Sequence, residues 1–352
     1  MPSTTFEFGE KMELLEKLCR APGISGFEDS VAGILEKELK GCCDHVEKDR
    51  FGNMIGRKGK GEKKIMLAAH MDEVGFLVKH ITKEGYLKFI KVGGIDDRVL
   101  YSQRVTIKSK RGDVTGIIGA KAPHLQKPED RKKVVKHDEL FIDIGAGSKK
   151  EAEKRVEVGD PAIFEPNYGS LTKDLIYGKA ADNRIGCFAM LEVMKKLPKN
   201  LKATVYAVGS TQEEVGLKGA RVAAFAIDPE YAIALDTTIA GDTPGISETE
   251  SSLKLGKGPA ITLMEASGRG VITHPRIREV MKKMAKAKKI PYQIDVLEGG
   301  MTDAAIIYLT REGIPSGVVS LPTRYLHGPT SVFSMKDLKN SVKLCIETIK
   351  AL

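Results

Sequence analysis

Residues 203–216 read A-T-V-Y-A-V-G-S-T-Q-E-E-V-G, and this stretch sets the pattern for the whole fold. Residues 203–209 are mostly small, β-branched or aromatic, which is typical of a strand buried in a sheet. The strand then runs into two adjacent carboxylates, Glu213 and Glu214, with a glycine close behind. Such an ending needs a physical reason, because clustered carboxylates repel one another and are costly to bury.

The same alternation of apolar strand and helix recurs through most of the chain. Helix patterns cover 11–20, 31–40, 183–197, 278–289 and 335–352, and strand-like runs cover 53–57, 64–69, 203–209, 231–235, 259–265, 292–297 and 316–321. Strands that alternate with helices indicate a sheet covered on both faces. We therefore expect an α/β fold, with a mixed sheet sandwiched by helices. Ser25 and Glu28, three residues apart, predict a capping box for the second helix.

Residues 74–166 follow a different pattern. Short alternating or β-branched runs, such as V-G-F-L-V-K-H-I and V-T-G-I-I-G-A, are separated by turn residues, with one short helix near 149–155. This is typical of a small all-β barrel or sandwich. We expect a discontinuous α/β domain, residues 1–73 and 167–352, that carries a β-barrel-like insert at 74–166.

Composition excludes several classes of protein. The chain has 352 residues, of which 41% are hydrophobic and 29% charged, as in globular proteins. No apolar run is long enough to span a bilayer, and the N-terminus lacks a signal-peptide pattern. The five cysteines include no C-x-x-C pair, which favours reduced thiols in a cytoplasmic protein. The net charge is +9, but basic and acidic residues are mixed, so we expect neither a nucleic-acid nor a membrane partner.

Histidines and acids recur just past the predicted strands. His70 and Asp72 follow M-L-A-A, Glu213 and Glu214 follow Y-A-V-G-S-T-Q, Asp236 follows Y-A-I-A-L, His327 follows G-V-V-S-L-P-T-R-Y-L, and Asp182 precedes a helix. In open α/β sheets, ligands bind at the carboxyl ends of the strands. We therefore expect separate segments to deliver these side chains to one crevice.

Metal ions would explain this concentration of charge. Mixed imidazole and carboxylate ligands suit zinc, cobalt or manganese better than calcium or magnesium. Asp182, Glu214 and Asp236 carry three negative charges, which two divalent ions and one hydroxide balance to zero. The count therefore predicts two divalent ions, with zinc or cobalt as the expected metals.

Adjacent glutamates can then have different tasks, because neighbouring side chains of an extended backbone point in different directions. We expect Glu214 to be a metal ligand and Glu213 to be the general base that deprotonates the attacking water. Asp72 is placed to orient His70 rather than to bind the same ion. Ordinary roles stay open at this point, since acids after a strand are often solvated and Asp182 has the position of a helix N-cap.

Six motifs occur in an order that resembles a known family. They are A-A-H-M-D-E-V-G-F at 68–76, G-K-A-A-D-N-R-I-G at 178–186, T-Q-E-E-V-G-L-K-G-A at 211–220, A-L-D-T-T at 234–238, G-G-M-T-D-A at 299–304 and R-Y-L-H at 324–327. Together they resemble the dinuclear metallo-aminopeptidases of the tetrahedral (TET) type, which include glutamyl and deblocking aminopeptidases and proteins once labelled endoglucanases. The resemblance extends over nearly the whole chain.

The resemblance implies a role for each matching residue. The metal ligands are His70, Asp182, Glu214, Asp236 and His327, with Asp182 bridging the two ions in the co-catalytic zinc peptidase fold. Glu213 is implied as the base and Asp72 as the acid that orients the first histidine. The bond after Asp182 is implied to be cis.

The resemblance also implies partners. The insert is a dimerisation domain, six dimers form a tetrahedral dodecamer, and the substrates are peptides cleaved at their N-terminus. His274, Met301 and Tyr325 are expected in the substrate pocket, with Met301 at a position where relatives often carry glycine. His124 in the insert is either structural or close to a partner's active site.

Three other functions stay open. A different dinuclear hydrolase, such as an N-acyl deacylase, would use the same ligands on another substrate. A glycosidase would need paired carboxylates and no metal. A non-catalytic assembly protein of the same family would lack the ligands and the base, which this chain has. The residue preferred at the substrate N-terminus is not predicted by the sequence.

Overall fold

A mixed sheet forms the centre of the computed structural model, which describes residues 4–198 and 200–352. Its strands are β1 (His45–Lys48), β2 (Met54–Lys58), β3 (Lys63–His70), β10 (Tyr168–Ser170), β11 (Leu175–Gly178), β12 (Ala203–Ser210), β13 (Tyr231–Ile239), β14 (Ala260–Met264), β15 (Gln293–Val296), β16 (Ser316–Arg324) and β17 (Ser331–Ser334). The intervening strands β4–β9 belong to a separate barrel described below. The order across the sheet is β1-β2-β12-β3-β13-β16-β17-β11-β10, and β14 pairs with both β15 and β16.

Helices cover both faces of this sheet. They are α1 (Thr4–Arg20), α2 (Asp29–Lys40), α4 (Ala181–Lys196), α5 (Lys218–Ile227), α6 (Pro275–Ala287), α7 (Ala304–Ile307) and α8 (Met335–Ala351), while α3 (Lys149–Ala152) belongs to the insert. Side chains alternate along β3, so Ile65 and Leu67 pack into one core with α1, α4 and α8, whereas Met66 and Ala68 pack with α5 and α7. The predicted α/β class, a mixed sheet between helical layers, is confirmed.

The central strands β12, β3, β13 and β16 are parallel to one another, and β2 and β17 add antiparallel neighbours. Parallel strands covered on both faces have near-continuous apolar sequences, which explains why 203–209 lacks a polar face. All carboxyl ends of these four strands lie at one edge. The strand register pairs Ser210 of β12 with His70 of β3. It also pairs Ala68 of β3 with Ala234 of β13, and His70 and Asp236 each lie two residues further along these strands.

The insert folds into a closed barrel with its own apolar core. Its strands are β4 (Gly75–Ile81), β5 (Leu87–Val92), β6 (Arg104–Ser109), β7 (Gly112–Gly119), β8 (Phe141–Asp143) and β9 (Pro161–Phe164), closed in the order β4-β5-β8-β7-β6-β9. Phe76 is buried at the centre, edge-on to Phe89 and Phe164 with ring centroids 5.2 and 5.1 Å away. The small inserted barrel expected from the short strand pattern is therefore present.

The capping box predicted before the second helix is wrong. Glu28 itself is the N-cap of α2, and no side chain caps the helix there. Ser25 instead donates its hydroxyl hydrogen to Asp72 Oδ2 at 2.6 Å, and Glu28 accepts the backbone N–H of Gln212 at 3.1 Å. Both side chains serve long-range contacts, which a local spacing rule does not detect.

Within the described ranges, none of the helices is both long and apolar enough to cross a membrane.

Candidate metal centre

Strand ends bring the candidate residues together at the carboxyl edge of the sheet. His70 is the last residue of β3, and Asp236 lies in β13, the strand next to it. Glu213 and Glu214 follow β12 on the other side of β3, and Asp182 lies at the start of α4. His327 follows β16 in a turn with a left-handed backbone. The expected convergence of five separate segments is therefore what the structure shows.

His70 lies at the centre of the acidic side chains. Its Nε2 atom is 3.1 Å from Asp182 Oδ1, 3.6 Å from Asp236 Oδ1 and 3.7 Å from Glu213 Oε2. His70 as a whole is only 1% exposed. One nitrogen thus faces three carboxylates, an arrangement that a proton alone satisfies poorly and a bound cation satisfies well.

His327 faces the other side of the same cluster. Its Nε2 atom is 3.5 Å from Asp182 Oδ2 and 3.5 Å from Glu214 Oε2. Its Nδ1 atom is 2.8 Å from the carbonyl oxygen of Gly94, which lies in the insert. The two oxygens of Asp182 therefore face different histidines, and the insert helps to fix the second of them.

Asp72 lies behind the cluster and is fully buried. Its Oδ1 atom is 3.4 Å from His70 Nδ1, on the ring edge opposite to the acids. The same carboxylate accepts the backbone N–H groups of Glu213 and Glu214 at 3.0 and 3.1 Å. It therefore contacts both the histidine and the loop that carries the two glutamates. The peptide bond between Asp182 and Asn183 is cis, as the resemblance implied.

Burial shifts the pKa values of the acids in the cluster. It raises the pKa of Glu213 well above its usual range, raises that of Glu214 to about 8, and raises the pKa of Asp236 as well. Burial acts in the same direction on Asp182, but hydrogen bonds with His327 and His70 outweigh it and hold the pKa of Asp182 below its ordinary value. Burial thus makes the charged form of these three carboxyl groups more costly, and a bound cation would compensate that cost.

Two sets of side chains have the donor atoms and spacing for metal ions. Ligand atoms of His70, Glu213 and Asp236 lie within 4.8 Å of one another, and so do those of His70, Asp182 and Glu214. The Oε1 atom of Glu214 is buried with no hydrogen-bond partner among the described residues. Leaving such an oxygen unpaired is costly, whereas a cation would satisfy it. The residues therefore fit divalent transition-metal ions.

A buried ion network behind the site was not anticipated from the sequence. Lys179 Nζ is 2.7 Å and Arg184 Nη2 is 3.1 Å from Glu73 Oε1. Glu73 follows Asp72 directly, so the network joins the loops that carry Asp72 and Asp182. All three charged residues lie in the motifs H-M-D-E and G-K-A-A-D-N-R. Their charge, next to the candidate ligands in these motifs, was the sequence signal that could have identified them.

The three residues expected in the substrate pocket are exposed. His274 is exposed and precedes α6, with its backbone N–H bonded to Ser316 O at 3.0 Å. Met301 and Tyr325 are 50% and 60% exposed. No described contact joins these three side chains to His70 or His327, so their part in a substrate pocket stays a prediction. His124 is exposed in a short turn of the insert.

Comparison with known proteins identifies a family for the chain. The family model described as M42 glutamyl aminopeptidase matches residues 52–344. Lysyl aminopeptidase of Pyrococcus furiosus is 34% identical over 94% of this chain and 94% of its own.

Two solved structures have the same fold. The TET aminopeptidase of a marine-sediment Thaumarchaeota archaeon is 40% identical, with a TM-score of 0.95 over 98% of this chain and 97% of its own. The TET1 peptidase of Pyrococcus horikoshii, which can assemble into a tetrahedron or a large octahedral shell, is 37% identical, with a TM-score of 0.87 over 96% and 98%. The ordered motifs, the fold and these similarities agree, and the chain belongs to the metal-dependent M42 family of aminopeptidases.

Proposed function

We propose that the chain is a dinuclear metallo-aminopeptidase that removes N-terminal residues from peptides, with Glu213 as the general base. One observation carries the dinuclear part of the proposal. Asp182 presents Oδ1 to His70 at 3.1 Å and Oδ2 to His327 at 3.5 Å. A carboxylate whose two oxygens face two different histidines is suited to bridge two ions.

The ligand assignment follows from these contacts. His70, Asp182 and Asp236 would hold one ion, and Asp182, Glu214 and His327 the other. Three carboxylates and two divalent ions leave one positive charge, which one hydroxide balances in a partly buried site. The mixed imidazole and carboxylate ligands favour zinc or cobalt.

Glu213 has two conceivable tasks, because its Oε2 atom is close enough to His70 and Asp236 to join a metal group. We assign it as the base for two reasons. The ligand set balances its own charge without Glu213, and burial raises the pKa of Glu213, which makes its carboxylate a stronger proton acceptor. The two adjacent glutamates then act on different sides, Glu213 near His70 and Glu214 near His327.

The proposed reaction uses the metal ions and the general base together. The bound ions would supply a water of lowered pKa and polarise the scissile carbonyl group. Glu213 accepts the proton of the attacking water and donates it to the leaving amine. Asp72 keeps the His70 ring in place through its 3.4 Å contact with Nδ1 and keeps the Glu213 backbone in place through the hydrogen bond from its N–H.

Chelation tests the metal and the reaction class together. We expect EDTA to abolish hydrolysis of aminoacyl chromogenic substrates, and Co²⁺ or Zn²⁺ to restore it, because the bound ions would supply the activated water. The melting temperature should also rise when metal is added back, since only the folded chain holds the ligand set together.

A panel of aminoacyl substrates, with N-acyl amino acids and cellulose oligosaccharides as controls, identifies the class of reaction. Cleavage only of the acylated compounds would favour the deacylase instead, and chelator-resistant cleavage of the oligosaccharides would favour the glycosidase.

We also propose that the insert, residues 74–166, is a dimerisation domain within a tetrahedral dodecamer. The support is the assembly of the Pyrococcus horikoshii relative, whose fold this chain shares over 96% of its length. Light scattering after gel filtration should give a mass near twelve times the 38.4 kDa of one chain. A mass of one chain at micromolar concentration would contradict the assembly and leave the chemistry of the site untouched.

A further inference from the structure

Side chains from three separate segments hold the backbone of the loop at 211–214. Asn53 Oδ1 accepts the N–H of Thr211 at 3.0 Å, and Glu28 Oε1 accepts the N–H of Gln212 at 3.1 Å. Asp72 accepts the next two N–H groups, those of Glu213 and Glu214. Four consecutive N–H groups therefore each have a side-chain acceptor from outside the loop.

This arrangement is unusual, because most side-chain hydrogen bonds in proteins are scattered and most buried N–H groups bond to backbone carbonyls. The loop also contains a backbone conformation that few residues adopt, since Gln212 has φ of +56°. The directions of the two glutamate side chains depend on this backbone. A loop that had to satisfy its own N–H groups would turn Glu213 and Glu214 elsewhere.

We propose that Glu28 and Asn53, together with Asp72, are positioning residues that fix the backbone of the Glu213–Glu214 loop. This inference rests on the proposed function, in which one of these glutamates is the base and the other a ligand. Glu28 acts as a hydrogen-bond acceptor and not as a charge, because a single oxygen, Oε1, accepts both the Gln212 N–H and the Gly26 N–H, at 2.8 Å for Gly26.

Asn53 has a matching geometry. It is fully buried, and its amide nitrogen donates to Asp49 Oδ2 at 2.7 Å and to the carbonyl oxygen of Gly219 at 3.0 Å. These bonds fix the orientation of the amide, so that Oδ1 points at the Thr211 N–H. Asn53 thus bonds to the chain on both sides of the glutamates, to Thr211 before them and to Gly219 after them.

The test compares substitutions at Glu28. Glu28→Gln keeps Oε1 in place and removes the charge, whereas Glu28→Ala and the volume-preserving Glu28→Met remove the acceptor. We expect Glu28→Gln to behave like the wild type. We expect Glu28→Ala and Glu28→Met to lower kcat by about 10–100-fold with little change in KM, as loss of an outer hydrogen-bond partner does at metal sites.

Two further readouts separate positioning from general stability. The visible absorption spectrum of the Co²⁺-loaded protein reports ligand geometry and should change in Glu28→Ala and Glu28→Met. Hydrogen exchange in peptides that span 211–216 should lose protection in the same two variants, with or without metal. The second readout stays informative if the wild type binds no Co²⁺, a result that would contradict the proposed function alone.

Asp337→Ala is the matched control. Asp337 is 1% exposed and also accepts two loop N–H groups, those of Gly256 and Gly258, but that loop carries no candidate ligand. We expect this variant to lose melting temperature and keep its Co²⁺ spectrum and kcat. If Glu28→Gln is as impaired as Glu28→Ala, the charge matters and the inference is wrong. It is also wrong if the acceptor-free variants lose only melting temperature, as the control does.

Discussion

Glu213→Gln is expected to fold, to bind the same amount of metal as the wild type and to lose activity by about 10²–10⁴-fold, the usual contribution of a general base. The amide has nearly the shape of the carboxylate but cannot accept the proton of the attacking water. The backbone N–H of residue 213 still bonds to Asp72, so the loop should keep its conformation. Steady-state kinetics at saturating substrate, combined with metal analysis by mass spectrometry, measures both parts.

Glu214→Gln is the matched comparison for this experiment, because it makes the same chemical change one residue away. Glu214 faces His327 at 3.5 Å and has a buried oxygen with no hydrogen-bond partner in the described part of the chain, as expected of a ligand. We expect this variant to lose bound metal as well as activity. If Glu213→Gln loses metal to the same degree, Glu213 is a ligand and the base is another group. A rate within a few-fold of the wild type would also contradict the assignment.

Removal of either histidine is expected to remove metal, with a larger effect for His70. His327→Ala should leave one ion per chain, since His70, Asp182 and Asp236 remain for the other. His70→Ala should weaken both, because ligand atoms of His70 lie within 4.8 Å of both acidic groups. Removal of an outer hydrogen-bond partner lowers metal affinity by roughly 10–100-fold, and we expect removal of a ligand to lower it by no less.

The measurement is metal content after dialysis against buffers of known free Zn²⁺ or Co²⁺. Melting temperature without metal is measured in parallel, because His70→Ala also leaves three buried carboxyl groups without their histidine neighbour. His274→Ala is a suitable control, since His274 is exposed and outside the described contacts of the site. Two tightly held ions per chain in both His70→Ala and His327→Ala would contradict the proposed ligand set.

The linear order of elements was predictable because it depends on local patterns. The strand expected at 203–209 is β12 at Ala203–Ser210, and the helix expected at 335–352 is α8 at Met335–Ala351. The boundaries moved where strand pairing continues past the apolar run, as in β13, which stays paired with β16 through three polar residues and reaches Ile239 instead of 235. The side chains of the first predicted helix before residue 12 lie outside the described residues.

The site was predictable in part for a related reason. Carboxyl ends of parallel strands share one edge of a sheet, so residues that follow such strands lie near one another. The resemblance to TET aminopeptidases added the individual roles. Charged residues in buried motifs marked Lys179, Arg184 and Glu73, but their pairing was not predictable. The contact of Gly94 with His327 was not predictable either, since no periodicity connects these segments.

Sequence alone therefore determined the long helices and the central strands, that a small barrel interrupts the α/β domain, and which acids and histidines lie at or near the strand ends. It did not predict α5 or the outer strands β1, β10, β11 and β17. The tertiary structure decided which atoms meet: the two oxygens of Asp182 against two histidines, Ser25 against Asp72 and Glu28 against the Gln212 N–H. The physical reason is the distance along the chain. Periodicity reports contacts within a few residues, whereas His70 and Asp182 are separated by 112 positions and meet only when the sheet has folded.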